Sequence, residues 1–252
     1  AYAVAENTPS QVTHLTDAIY LDGAGQIATD ISTEIQGDYT VAGWFRVDTL
    51  ASTQNLVSNA DGDQLDFRVY VGTDGAVHFE MGNGTATPEV DRVSAVGAVE
   101  AGEWHHFAIS YDDSGQMRAY LDGNSLGAIS FSNGSRYSPG TGLVFGAFDG
   151  ASMTGALDDL SVWSTMLDQT AVQSLMEGAP NAWASGLEAY YSFTDTDGMV
   201  AVDGSYNGND GTITGGMLEE AGFDLQGTQL EAFAGSRLTG RILFEAGDTL
   251  SI

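Results

Sequence analysis

The 252-residue chain has no cysteine and no lysine. Without cysteine there can be no disulfide, no thiolate nucleophile and no cysteine-based zinc site. The seven basic residues are all arginine and face 35 acidic ones, for a formal net charge of −28. Proteins hold nucleic acid by neutralising phosphates with lysine and arginine, so this chain would be repelled and nucleic acid is not an expected partner. Anionic membrane surfaces are disfavoured for the same reason. No apolar run reaches the roughly 18 residues that a spanning helix needs, so membrane insertion through a helix is not expected. No signal peptide opens the sequence; a secreted protein would therefore be met here as a mature or excised piece. The charge favours a cationic ligand, a divalent metal being the simplest. An apolar fraction of 42% is too high for a disordered acidic tail.

Glycine is abundant instead, at 33 residues, nearly twice the usual share of roughly 7%. Asp22-Gly23, Asp61-Gly62, Asp74-Gly75, Asn83-Gly84, Asp122-Gly123 and Asn133-Gly134 each mark a tight turn. Apolar or alternating runs lie between them, among them 39–47, 67–71, 77–81, 104–111, 117–121, 142–148 and 157–163. Many short strands at turn-limited spacing predict an all-β fold of two stacked antiparallel sheets. One short helix is expected. Asp168 suits its N-cap, Leu167, Ala171, Val172, Leu175 and Met176 form an apolar stripe, Gly178 suits the C-cap, and Pro180 prevents resumption. A stretch near the end, 223–232, echoes 19–28 and reads as the same kind of hairpin.

Three segments resemble the laminin-G-like, concanavalin A-like jelly-roll family. They are AIYLDG at 18–23 with GDYTVAGWFR at 37–46, GEWHHFAISYD at 102–112 with YLDGNSLG at 120–127, and GALDDLSVW at 155–163 followed by the helix. A fourth, GLEAYYSF at 186–193 with DGSYNGNDGTI at 203–213, resembles the stretch that usually precedes the first but here follows the helix. The resemblance implies a two-sheet antiparallel jelly-roll sandwich. It divides the chain into an N-terminal extension at 1–14, a jelly-roll core at 15–178 and a C-terminal segment at 186–252. That last segment either returns to complete the sandwich, as in a circular permutation, or starts a second jelly roll.

Catalytic patterns are weak. Glu89 and Asp91 come nearest to a Glu-x-Asp-x-x-Glu strand of paired carboxylates, but Ser94 stands where the last acid would be. His105 and His106 are consecutive on a strand and so point to opposite faces. His14 and His78 stand alone, and no Gly-x-Ser-x-Gly elbow or His-x-x-x-His pair occurs.

Calcium is the stronger expectation. A hard cation takes six to eight oxygens from carboxylates, amides and turn carbonyls. The loop at 203–211 is dense in such groups, and the family resemblance implies a calcium there, held first by Asp203 and Asn209, then by Asp210 and Asn207. Asp158, or Asp159 beside it, could join Asp22 in a second cation site at a sheet edge. Trp44, Trp104 and Trp163 lie in strands of the resemblance and are expected in the core. Trp183, Tyr137 and Tyr206 lie in loops, where aromatic faces can pack on sugar C–H patches while Arg136 and nearby Asp and Asn bond hydroxyls.

The expectation is therefore an extracellular or bacterial cell-surface module. It would bind a glycan with calcium, have no enzymatic activity, and sit among flanking domains of a large adhesin. A calcium-dependent peptide binder, a structural spacer and a glycan-cleaving enzyme are the alternatives, since one sandwich scaffold hosts all of these.

Overall fold

A computed structural model describes residues 17–31, 37–62, 64–131, 140–194, 196 and 199–220. The 1–14 extension, the 223–232 echo, Arg136 and Tyr137 lie outside the described residues. The strands are, in chain order, β1 Asp17–Ala28, β2 Tyr39–Val47, β3 Gln54–Asp61, β4 Gln64–Val71, β5 Val77–Met81, β6 Val90–Val93, β7 Trp104–Asp112 and β8 Gln116–Leu121. They continue with β9 Asn124–Ser130, β10 Val144–Phe145, β11 Ala147–Phe148, β12 Ala151–Ser152 and β13 Thr154–Trp163. The helix α1, Gln169–Glu177, precedes β14 Leu187–Tyr191, β15 Val200–Ala201 and β16 Gly211–Glu220.

Every described pairing is antiparallel. One layer runs β6-β5-β4-β3-β10 to the C-terminal end of β1; the other runs β9-β8-β7-β2-β13 to its N-terminal end. β1 passes from one layer to the other. The register of its pairing with β16 shifts between Leu21 and Gln26. β14 runs along β13, with Leu160 opposite Tyr191, and β16 follows β1 from Asp17 to Ala28. The segment after the helix is thus hydrogen-bonded to β13 and to β1, the strand that passes between the layers.

Period-two alternation explains the core. Phe67, Val69 and Val71 of β4 and Val77, Phe79 and Met81 of β5 point inward and are fully buried. The opposite layer meets them directly: the Tyr39 and Phe67 rings lie 5.4 Å apart, and the Tyr39 hydroxyl reaches Met81 Sδ at 3.3 Å. The expected two-sheet sandwich is what the chain forms. Between β13 and β2, position 155 has room for nothing beyond hydrogen. A Cβ on Gly155 would fall 2.0 Å from the Arg46 carbonyl oxygen, and its φ is +150°.

The helix begins as the sequence predicts, with Asp168 Oδ1 accepting from the Ala171 N–H at 2.9 Å. Gly178 follows it with an extended backbone, so a left-handed turn is not what ends the helix. Val172, with Leu167 and Leu175, packs on Ala42, Ala108 and Tyr120, the outer face of the β7–β2 layer. No described helix is long and apolar enough to cross a membrane. Trp44 and Trp163 are buried as expected; Trp104 is half-buried beneath the Arg46 guanidinium, 5.5 Å from its ring centre.

Candidate functional site: an aromatic pair on a hydrogen-bonded loop

The 203–210 loop is organised by one buried carboxylate. Asp203 Oδ1 accepts from the N–H of Tyr190 (3.0 Å) and Ser205 (2.8 Å). Its Oδ2 accepts from the Ser205 hydroxyl (2.7 Å) and the Asn209 N–H (2.9 Å). Asp210 Oδ1 accepts from the Asp203 N–H at 2.8 Å. The amides of the two asparagines hold the loop to β14. Asn207 Nδ2 donates to the carbonyls of Leu187 (2.7 Å) and Glu188 (3.2 Å), and Asn209 Nδ2 donates to that of Glu188 at 2.8 Å. The structure therefore brings Asp203, Asn207, Asn209 and Asp210 together in one loop.

That arrangement does not fit a tightly held calcium. Both Asp203 oxygens are saturated by donors, and a cation there would have to displace four hydrogen bonds. The side-chain oxygens left in the loop are one on Asp210 and the Oδ1 atoms of the two asparagines, so turn carbonyls and water would have to supply most of a six- to eight-oxygen set. Among the described residues, no group of three or more Asp, Glu or His side chains could hold a metal ion.

Tyr206 stands at the tip of this loop, between two anchored neighbours. Trp183 stands in the connection from α1 to β14, where Asn181 Oδ1 accepts its N–H at 2.9 Å and Ala184 packs against Trp163, Leu187 and Tyr190. With position 184 turned inward, position 183 faces out. The two rings stack on one another, centroids 3.5 Å apart and 16° between planes, yet Trp183 is 73% exposed and Tyr206 64%. Burying aromatic area is favourable, and a folded surface normally hides part of such a pair. Their mutual stacking leaves one outer ring face each in solvent. An open ring face flanked by polar loop groups can pack on the C–H patch of a sugar while neighbours bond its hydroxyls. Trp183 and Tyr206, read separately from sequence as loop aromatics, form one platform here.

Asp158 lies elsewhere. It is 2% exposed, and its Oδ1 accepts the Asp159 N–H at 2.7 Å. Asp159 has a positive φ of 48°, at the point where the pairing of β13 with β2 shifts register, and takes a hydrogen bond from the Tyr190 hydroxyl. Asp22 pairs in register with Thr154, four residues away along β13, and its Oδ1 caps the Ala24 N–H at 3.1 Å. At the rise of a strand that is roughly 13 Å, so Asp22 and Asp158 do not share a cation. Burial, then the neighbouring Asp159 charge, push the Asp158 carboxyl up to about 9 from its ordinary 3.8. The folded protein thus keeps a proton that the unfolded chain has released. Its stabilising effect is complete below about pH 4 and is lost as pH rises toward 9. Asp158→Asn should flatten that slope and raise the melting temperature at pH 8 by roughly 3–8 °C, read by thermal melts across pH. An unchanged slope would show that Asp158 is charged in the fold.

A second polar array went unread in the sequence. On the outer face of β4, β5 and β6, Glu80 Oε2 accepts from Arg68 Nε (3.0 Å) and Nη2 (2.9 Å), and Glu80 Oε1 accepts from the Tyr70 hydroxyl (3.3 Å). The guanidinium lies 4.1 Å from the Tyr70 ring centre and 4.7 Å from that of Phe148. Tyr70 stacks on His78 at 4.5 Å, and His78 Nδ1 lies 2.8 Å from Asp91 Oδ2. Burial raises the Glu80 carboxyl despite Arg68, and burial together with the Glu80 charge pushes Tyr70 up to about 12. Alternation along 67–71 and 77–81 marks these positions as outward-facing; only strand pairing shows that they meet.

The family model for the concanavalin A-like lectin/glucanase superfamily, Laminin_G_3, matches residues 21–173, and the chain belongs to this family. No curated protein matches the sequence. Among solved structures, one from Bacteroides ovatus, provisionally described as a carbohydrate-binding protein, is similar at TM-score 0.65 and 17% identity over 81% of this chain. The match spans 60% of the length of that protein. The CBM40 of a Ruminococcus gnavus IT-sialidase, bound to α2,3-sialyllactose, is similar at TM-score 0.51 and 16% identity. That match covers 65% of this chain and 99% of the module. At such identities the likeness is one of fold.

Proposed function

We propose that this protein is a non-enzymatic carbohydrate-binding module whose binding surface is the Trp183–Tyr206 platform. One observation carries the reading: two large aromatic rings are stacked and solvent-facing on loops that hydrogen bonds hold in place. Preorganised exposed aromatics are the feature by which a protein surface meets the weakly polar face of a pyranose. The carbohydrate-binding descriptions of similar folds support it. A non-catalytic role is supported by the state of the two carboxylates that stand opposite each other, Glu80 and Asp91. Glu80 is held by Arg68 and Tyr70, and Asp91 by His78, so both carboxylates are committed to one array on this face.

An extracellular setting on a bacterial surface adhesin, with flanking domains, is part of the proposal; the strongly acidic composition suits such an exposed, solvated setting. Calcium dependence, implied by the family resemblance, is carried forward only in a weak form. Any calcium would use Asp210 and the Oδ1 atoms of Asn207 and Asn209 from outside, with water completing its shell. Millimolar calcium should then move the melting temperature by less than about 2 °C relative to chelator. A larger shift, measured by calorimetry, would mean that the Asp203 loop rearranges around the ion.

The test of the glycan reading is an array of neutral, acidic and amine-bearing saccharides probed with the protein and with Trp183→Ala. Binding that disappears in the variant supports it; an array with no saccharide bound, beside a peptide array with hits, would favour peptide recognition.

A further inference from the structure

The hydrogen bonds that fasten the platform also fix what it can recognise. Both Nδ2 groups of Asn207 and Asn209 are spent on backbone carbonyls, which only accept, so the orientation of each amide is determined. Among the described residues no donor reaches their Oδ1 atoms, which are acceptors left over on the loop that carries Tyr206. Asp210 is exposed, with one oxygen committed to the Asp203 N–H. Glu188 belongs to the strand whose carbonyl both asparagine amides grip, and it is half-buried. Neither Glu188 nor Asp210 takes part in an ion pair among the described residues. Three of the described arginines are engaged elsewhere: Arg46 pairs with Asp48, Arg68 with Glu80, and Arg92 Nη2 donates to the Ala128 carbonyl. The loop of Tyr206 and the strand that anchors it thus bring to the platform two π-faces, spare acceptor oxygens and carboxylates with no ion pair among the described residues, on a chain of net charge −28.

We infer, resting on the glycan-binding reading above, that the Trp183–Tyr206 platform selects a saccharide bearing protonated amines over its N-acetylated or sialylated counterparts. An ammonium donates hydrogen bonds to the acceptor oxygens, is attracted by the carboxylates, and is drawn to the indole face, which prefers cations. A sialyl carboxylate meets the opposite: the surrounding field repels it.

The test titrates the chain, in chelator, with the glucosamine trimer, the N-acetylglucosamine trimer and α2,3-sialyllactose, by calorimetry, beside Trp183→Ala. At about pH 6 and low salt the glucosamine trimer should bind about tenfold or more tighter than its acetylated form. That advantage should shrink in about 0.5 M salt and at about pH 9, where the amines lose their charge, and Trp183→Ala should lose it entirely. Equal or tighter binding of the acetylated trimer, or of sialyllactose, with loss in Trp183→Ala would overturn the amine preference while leaving the platform intact. Glucosamine binding that Trp183→Ala does not alter would also overturn it, since the attraction would then belong to the acidic surface at large. Absence of binding by all three overturns it as well, and the saccharide array then decides the glycan reading separately.

Discussion

Trp183→Ala should weaken saccharide binding by about 30-fold or more while leaving the melting temperature within about 1–2 °C of the parent. The first figure corresponds to roughly 2 kcal/mol, the usual loss when an aromatic anchor is truncated at a binding surface. The second follows from exposure. At 73% exposed, the indole contributes little buried area, and the connection around it is held by backbone contacts that alanine keeps. Tyr206→Ala should weaken binding less, because the indole keeps its outer face but loses the ring that orients it, at a centroid distance of 3.5 Å. Binding by calorimetry and melting by circular dichroism separate the two effects. A Trp183→Ala variant that melts early would make the indole a packing lid; one that binds normally would remove the platform from the account.

Asp203→Ala should have the largest effect on stability. The substitution strands the N–H groups of Tyr190, Ser205 and Asn209 and the Ser205 hydroxyl, all of which converge on one buried carboxylate. Each buried donor left without an acceptor costs about 1–3 kcal/mol, so a loss of at least 3 kcal/mol is expected even if water rescues some of them. For a chain of this size that lowers the melting temperature by roughly 6–12 °C. Asp203→Asn should fall between, since one of its two terminal atoms becomes a donor facing donors. The loss should be the same in calcium and in chelator, because the carboxylate acts by accepting hydrogen bonds. A penalty confined to calcium-containing buffer would restore the metal assignment that the sequence suggested. The same variant should weaken saccharide binding, because Tyr206 stands on the loop that Asp203 organises.

The contrast at Asp203 shows how far the sequence could be read. Its loop was legible as dense in oxygen and glycine, and the chemistry of those groups allows either a cation or a self-bonded turn. What favours the self-bonded turn is the approach of the β14 backbone, and no local spacing encodes that. Asp22 and Asp158 make the same point: each is a plausible ligand alone, and only the register of β1 on β13 separates them. The layers themselves were legible because alternation and Asp-Gly or Asn-Gly turns are local signals, as was the start of α1 at Asp168. Trp183 and Tyr206 could be singled out one by one as loop aromatics, but their stacking across 23 positions of sequence could not. Nor could the Arg68–Glu80–Tyr70–His78–Asp91 array, whose members lie on three strands and are joined only by pairing. Local pattern fixes which face a side chain takes; the partner on the next strand is a property of the fold.

The most direct measurement follows the four tryptophan indole N–H signals by nuclear magnetic resonance as a mixture of neutral, acidic and amine-bearing oligosaccharides is titrated in. The account predicts that the Trp183 signal moves in a saturable way while those of buried Trp44 and Trp163 hold still. Saccharide-induced shifts at Trp44, Trp163 or Trp104 with Trp183 unmoved, or binding seen by calorimetry with no indole responding, would contradict it.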